Sequence, residues 1–509
     1  MSLIERGSAR SDVDYDVIIV GAGLSGIGAA YRLQESHPHR SYAILEGREA
    51  IGGTWDLFRY PGVRSDSDMY TLGYPFRPWT NRKSIADGET IREYVRDTAV
   101  ENGIDRHIQF QTKVRRAEWS SVDERWTLSV TRTDGDETRT EELTAAFVFM
   151  CSGYYNYEHP YEPVFDGIDD FAGQVVHPQF WPEDLDYEGK KVVVIGSGAT
   201  AVTVVPAMTD RAEHVTMLQR TPTYFTVLPE EDPLAKPLRS LLPEKLAYKI
   251  IRGKNVALTS AFYQLCRRRP EVAKKLLKGQ VTHFLKDAEQ TEKHFNPPYQ
   301  PWDQRLCVVP DADFFRAVRS GKASVVTDHI ERFVPEGIKL RSGKIIEADI
   351  VVTATGLSLQ MVGGVDISVD GTPVDASESW LYRGVLLSGV PNLAICIGYV
   401  NASWTLRSDL TARYVARLLT YMDKNGYSVA APTSPNGQDE QPLLPLDSGY
   451  IARSAALMPK LGTDDPWLMP QNYLRDAASM RSADLTRSMT FGRRARKPVA
   501  AGERERSAV

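Results

Sequence analysis

Asp16-Val17-Ile18-Ile19-Val20 runs straight into Gly21-Ala22-Gly23-Leu24-Ser25-Gly26. The apolar run reads as a strand, and the three glycines as a turn that opens a helix from Gly26 to about Gln34. The glycines serve a tight turn, close approach of backbone to a pyrophosphate, and packing of helix on strand. The helix N-terminus then offers free N–H groups and a positive dipole end to phosphates. A second apolar strand, Tyr42 to Leu45, ends on Glu46, twenty residues after Gly26, where a carboxylate accepts hydrogen bonds from a ribose. The glycine spacing alone arises by chance in roughly one chain in six of this length. Strand, helix and acid around it make it a dinucleotide site.

The pattern recurs downstream. Lys191 to Ile195 leads into Gly196-Ser197-Gly198-Ala199-Thr200-Ala201, then a helix to about Met208 and a strand from His214 to Leu218. Ala is permitted in the third position. The turns lie 175 residues apart, so they belong to separate domains and are not solenoid repeats. At the second strand's tip stand Gln219, Arg220 and Thr221, with no acid. A guanidinium suits the 2′-phosphate of NADP, which a carboxylate would repel. One acid-tipped and one Arg-tipped turn point to FAD at the first and NADPH at the second. The fold class expected is α/β, with two Rossmann-like dinucleotide-binding domains.

The remainder of the chain narrows what takes the electrons. The 509 residues suggest about three domains. A net charge of −5 gives no footprint for nucleic acid. Cys151, Cys266, Cys307 and Cys396 are separated by 115, 41 and 89 residues, so a redox disulfide would need distant thiols to meet in the fold. No Cys or His cluster has metal-ligand spacing, and His37-Pro38-His39 reads as a surface loop, so no metal is expected. Molecular oxygen is left as acceptor. Few cysteines, no long apolar run and a polar N-terminus point to the cytoplasm. Between Pro237 and Phe295, Leu241, Leu246, Ile250, Ile251, Leu258 and Phe262 recur at helical spacing with basic residues on other faces. This reads as a helical insert whose basic side is either a solvated face or a peripheral membrane contact. Strands are expected at Ala323 to Thr327 and Ile346 to Thr353. Residues 1–13 read as a polar arm, and Gly492 to Val509 as a disordered tail. The sequence carries no signal for oligomeric state.

Between the two turns lies Phe171-Ala172-Gly173-Gln174-Val175-Val176-His177-Pro178-Gln179-Phe180-Trp181-Pro182. It resembles the FxGxxxHxxxW(P/D) fingerprint of type I Baeyer–Villiger monooxygenases, whose leading positions match by chance in well under about one chain in a hundred. The sister flavin-containing monooxygenases, which oxygenate nitrogen or sulfur and are the alternative reading, usually carry Tyr or Phe where Trp181 stands. The segments Gly52–Asp56, Arg59–Gly62 and Arg64–Asp66 resemble the family's flavin-contacting loops. Cys151–Gly153 and Ala354–Gly356 resemble its interdomain hinges. Trp55–Gly62 and Asn401–Trp404 most resemble an actinobacterial, thioamide-activating subgroup.

What the resemblance implies is specific. Residues 1–153 and 357–509 form the FAD domain, 168–228 and 303–356 the NADP domain, and 229–302 the helical insert. FAD is held by Gly21, Gly23, Ser25, Gly26, Glu46, Thr54, Trp55, Asp56, Arg64, Asp66 and Val114. NADPH is held by Gly196, Ser197, Gly198, Ala199, Thr200, Ala201, Arg220 and Thr221. In Trp302-Asp303-Gln304-Arg305 the catalytic arginine is Arg305, oriented by Asp66, with Gln304 where the family usually has Lys. The implied cycle reduces FAD with NADPH, adds O₂ at flavin C4a, and turns a ketone into an ester or lactone. Sulfides and thioamides are further implied substrates. Phe171, Gly173, His177, Trp181 and Pro182 couple domain movement to that chemistry.

Overall fold

The computed structural model describes residue 10 and residues 12–493. Strand β1 (Tyr15–Val20) is apolar on both faces, with Ile18 and Ile19 fully buried, as a central parallel strand requires. It pairs in parallel with β2 (Tyr42–Leu45), Val17 opposite Tyr42, and with β3 (Glu137–Met150), Tyr15 opposite Ala145. Antiparallel strands Arg125–Asp134 and Thr112–Ser120 extend this sheet beyond β3. Helix α1 (Leu24–Ser36) links β1 to β2 and packs on the helix Trp404–Asn425.

The second sheet is wholly parallel. It comprises β4 (Gln174–Val176), β5 (Lys191–Ile195), β6 (His214–Gln219), β7 (Ala323–Thr327) and β8 (Ile350–Thr353), in the order β7-β6-β5-β8-β4. Helix α2 (Ala199–Met208) joins β5 to β6. The chain leaves the first sheet after Met150 and re-enters it after β8, where Asp366–Val369 pairs with Thr112–Ser120 and Leu393–Ile395 pairs with β3. The first sheet is therefore assembled from two separated pieces of sequence.

Between β6 and β7 the insert contributes four helices, Ala235–Leu241, α3 (Glu244–Arg268), α4 (Pro270–Leu285) and Ala288–His294, and the helix Asp313–Arg319 follows them. Helix α3 buries Ala247, Tyr248, Ile251 and Arg252. The Arg252 guanidinium donates to the carbonyls of Tyr70 (2.6 Å) and Gly73 (2.8 Å), which ties the insert to the first unit.

Four local expectations need correction. The run Ile346 to Thr353 is two strands, not one. Asp349 interrupts it, its carbonyl accepting from Gln174 and its carboxylate from the Lys191 N–H. Ile345–Glu347 accordingly joins a small antiparallel sheet while β8 joins the parallel one. His37 is no surface loop residue, since it is buried at the end of α1 with Nε2 bonded to the Ala416 carbonyl at 2.9 Å. Near the chain's start, the Arg10 guanidinium donates to the Glu124 carbonyl. Gly492 belongs to a strand, Met489–Gly492, paired with Val429–Pro432. The rest of the polar arm and the expected tail beyond Arg493 lie outside the described residues.

Candidate active site

The two glycine turns open onto one cleft of about 1160 Å³, above the usual range of ~300–1,000 Å³ for a ligand pocket. The turns have nearly the same geometry. Gly21 and Gly196 sit at φ +103° and +127°, a region costly for any residue with a side chain. A Cβ on Gly26 would fall 1.8 Å from the Gly21 carbonyl oxygen, so this third glycine serves helix-on-strand packing. The caps Gly23 (φ −82°, ψ −171°) and Gly198 (φ −78°, ψ −176°) are alike. Neither helix has a side-chain cap or an acid in its first turn. Both N-termini thus present unsatisfied N–H groups and positive dipole ends to the cleft.

At the first turn, Glu46 lines the cleft and is buried. Its Oε2 accepts from the Ala22 N–H (2.7 Å) and its Oε1 from the Arg48 N–H (2.9 Å). Burial pushes its carboxyl above the usual range. Glu46 therefore holds the glycine turn in shape, beyond the ribose contact its position suggests. Ser25 Oγ accepts from Trp404 Nε1 at 2.8 Å. Thr54, Trp55 and Val114 also line the cleft. Asp56 does not, because three arginines neutralise its buried carboxylate: Arg48 (2.7 Å), Arg59 (2.6 Å) and Arg92 (3.3 Å). Arg64 lines the cleft, yet its guanidinium pairs with Asp313 at the start of the helix Asp313–Arg319 and so clasps the two units together.

At the second turn, Ser197, Ala199, Thr200 and Thr221 line the cleft, and Ser197 Oγ donates to the Thr221 carbonyl at 3.2 Å. Ala201 is buried in the first turn of α2. Arg220 is exposed at the tip of β6 and makes no ion pair or hydrogen bond among the described residues. It is an unspent cation beside an uncapped helix N-terminus.

Arg305 lines the same cleft as the two turns. Its side chain is 32% exposed, with Nη1 3.6 Å from Asp66 Oδ2 and Nη2 donating to the Tyr154 hydroxyl at 3.3 Å. Its Nε has no partner. Burial opposes the charge, and Tyr450, Tyr154 and Asp66 outweigh that, so the guanidinium stays protonated. Asp66 is exposed and accepts from Ser67, so it offers Arg305 one long ion pair, not two short parallel bonds.

The fingerprint segment divides in two. Phe171 packs edge-on against Phe333 at 5.9 Å, and Trp181 packs against the core of the second sheet, while Pro182 is half-buried. A Cβ on Gly173 would lie 2.3 Å from the Asp349 carbonyl oxygen, so this glycine allows β4 its approach. Of the five fingerprint positions His177 alone lines the cleft, together with its neighbours Pro178 and Gln179. Its Nδ1 accepts from the Gln179 N–H at 3.1 Å, which places the proton on Nε2. Nε2 is buried beside the Tyr161 carbonyl without a well-formed hydrogen bond, and burial lowers the ring's pKa.

Residues 69–244 match the model for flavin-binding monooxygenase-like proteins, and residues 19–83 that for an NAD(P)-binding Rossmann-like domain. The chain is 52% identical to the FAD-containing monooxygenase EthA of Mycobacterium tuberculosis over 92% of its own length and 95% of the relative's. The chain belongs to the FAD-containing monooxygenases. It is also 48% identical to the probable FAD-binding monooxygenase AlmA of Acinetobacter baylyi, over 92% and 94%. In fold, this monooxygenase matches an oxidised steroid monooxygenase bound to NADP, with a TM-score of 0.74 at 21% identity, covering 94% of this chain and 99% of that one. An open cyclohexanone monooxygenase matches equally well, with a TM-score of 0.74 at 20% identity over 94% and 99%.

The monooxygenase also gathers residues that sequence reasoning missed. Tyr154, Tyr155 and Tyr450 surround Arg305, and burial pushes the Tyr450 phenol up to about 12. Tyr154 stacks on Trp404 with ring centroids 5.1 Å apart. Tyr154 and Tyr155 follow the quoted Cys151–Gly153 hinge directly, which was the one available signal. Tyr450 had none. Cys151 and Cys396 are 245 residues apart, yet the Cys396 N–H donates to the Met150 carbonyl at 2.9 Å and strand pairing makes the two buried cysteines neighbours. Both are free thiols. Spacing in sequence hid this pair because parallel strand pairing creates it.

Proposed function

We propose that this monooxygenase uses NADPH to insert one oxygen atom of O₂ beside a ketone carbonyl, giving an ester or lactone, and that sulfides and thioamides are oxygenated in the same pocket. The observation that carries this reading is Arg305, a cation with a free Nε–H lining the same cleft as the two glycine turns. The curated relatives' name supplies FAD, and the steroid monooxygenase of like fold is bound to NADP. The residues here fit both groups: two uncapped helix N-termini on one cleft, Glu46 at one strand tip and unpaired Arg220 at the other. When bound, FAD and NADPH supply the electrons and the ring at which O₂ is reduced.

The chain's own residues do the rest on this reading. Glu46 holds the flavin-side turn, and Arg220 takes the 2′-phosphate that distinguishes NADPH from NADH. Arg305 offers positive charge to the oxygen that attacks the carbonyl. A unit charge about 4 Å away at an effective dielectric near 20 contributes about 4 kcal/mol, equal to roughly three pKa units. Asp66 and the Tyr154 hydroxyl set the guanidinium's direction. Residues 1–153 with 357–509 carry FAD, 168–228 with 303–356 carry NADPH, and the insert 229–302 shapes the substrate end.

The test pairs NADPH oxidised, hydrogen peroxide released and ester formed in Arg305→Ala. The variant keeps FAD, still oxidises NADPH, and yields peroxide in place of ester. Arg305→Lys does not restore the ester, since a flexible point charge lacks the planar fork. Ester per NADPH close to wild type would move the catalytic role elsewhere.

A further inference from the structure

The insert has a surface feature that oxygenation does not use. Along α3, Leu246, Ile250, Gly253, Ala257 and Ala261 are all exposed, and their spacing of four, three, four and four residues places them on one stripe. At 1.5 Å per residue the stripe is roughly 22 Å long. Leu241 (79% exposed), Leu258 (60%) and Leu276 (56%) are further exposed apolar residues of the same insert. Eight of the eighteen exposed large apolar residues among those described fall between Leu228 and Leu276. An apolar concentration of that kind marks a contact surface.

Charge identifies the partner. The insert, residues 229–302, holds fourteen Lys and Arg against eight acids, a net +6 in a chain of −5. Lys245 and Lys249 flank the apolar stripe. Together with Arg268, Arg269 and Lys275 they are exposed and have no acidic partner among the described residues. An isologous contact with a second copy would set these cations against their own symmetry mates. A nucleic acid backbone would leave Leu246 and Ile250 without purpose. Apolar stripe and unpaired lysines together match an anionic lipid surface. Among the described residues no helix is long and apolar enough to cross a membrane, so the geometry is that of a helix lying on one. We propose that the outward face of α3 docks on an anionic bilayer, with Leu246 and Ile250 entering the acyl boundary and Lys245 and Lys249 at the phosphates.

The test sediments the full-length holoenzyme with vesicles of phosphatidylcholine alone, or of equal parts phosphatidylcholine and phosphatidylglycerol. Wild type should pellet with the anionic vesicles, remain in solution with the neutral ones, and release as salt rises. Leu246→Ser with Ile250→Ser should lower the partition coefficient about tenfold or more. Lys245→Glu with Lys249→Glu should lower it about fivefold for each cation lost. All four side chains are exposed, so both variants should keep wild-type flavin content and thermal midpoint. Three results would overturn the proposal: wild type staying in solution with anionic vesicles, both flavin-loaded variants binding like wild type, or lipid-independent self-association that the same substitutions abolish.

Discussion

On the proposed reading, cofactor choice turns on Arg220. It stands free at the tip of β6, with no carboxylate to satisfy it and an uncapped helix N-terminus beside it. Loss of a charge-assisted contact to phosphate costs roughly 1.5–3 kcal/mol, or about ten- to a hundredfold in affinity. Arg220→Ala should therefore raise KM for NADPH by that factor and leave NADH use unchanged. An unaltered ratio of kcat/KM for the two cofactors would remove Arg220 from the phosphate site. Glu46 behaves differently, because its two oxygens already hold the backbone at Ala22 and Arg48. In Glu46→Gln the amide nitrogen would face one of those N–H groups, donor against donor. The expected result is flavin lost on gel filtration, with affinity down about tenfold or more. Full flavin retention would show that the turn does not need this acceptor pair.

At the scale of elements, the fingerprint segment is a strand followed by a capping histidine, and its two parts should fail differently. Gly173→Ala drives a Cβ into the Asp349 carbonyl and the Phe171 ring, an overpacking cost of about 1–3 kcal/mol. Its thermal midpoint should fall while turnover of the folded fraction persists. His177→Ala should keep flavin and midpoint yet turn over slowly, and a variant that instead sheds flavin would make the segment packing alone. His177 also carries a pH signature. Burial lowers its pKa, so its contribution is fully present above the unfolded value near 6.5 and is lost as pH falls through the folded value. Acidification from pH 7 to about 5 should cost wild type more stability than it costs His177→Gln, by urea unfolding. Equal losses would remove His177 from the acid sensitivity. Both glycine turns and the helices behind them were legible because period and glycine spacing are local. The break at Asp349 was not, because carbonyl and carboxylate contacts with distant strands impose it. Asp56 was legible as an acid in a loop, but the three arginines that withdraw it from the cleft come from separate elements. The stripe on α3 was legible as periodic. Its exposure was not, since periodicity does not say which face the fold covers.

Over the whole molecule, two sheets built from interleaved chain segments bring two glycine turns to one cleft, and the Arg64–Asp313 pair ties the units across it. That arrangement suits passage of electrons from a nicotinamide to a flavin within one enclosure, and Arg305 lines it. The central claim is that the enclosure delivers an oxygen atom from O₂ to carbon beside a carbonyl. The most direct measurement supplies purified wild-type enzyme with NADPH, isotopically labelled O₂ and a panel of linear, cyclic and aromatic ketones, with an amine in parallel. The expected result is one labelled oxygen in each ester or lactone, one NADPH consumed per product, and little turnover of the amine. NADPH consumption that yields only peroxide, or amine oxide without ester, would contradict it.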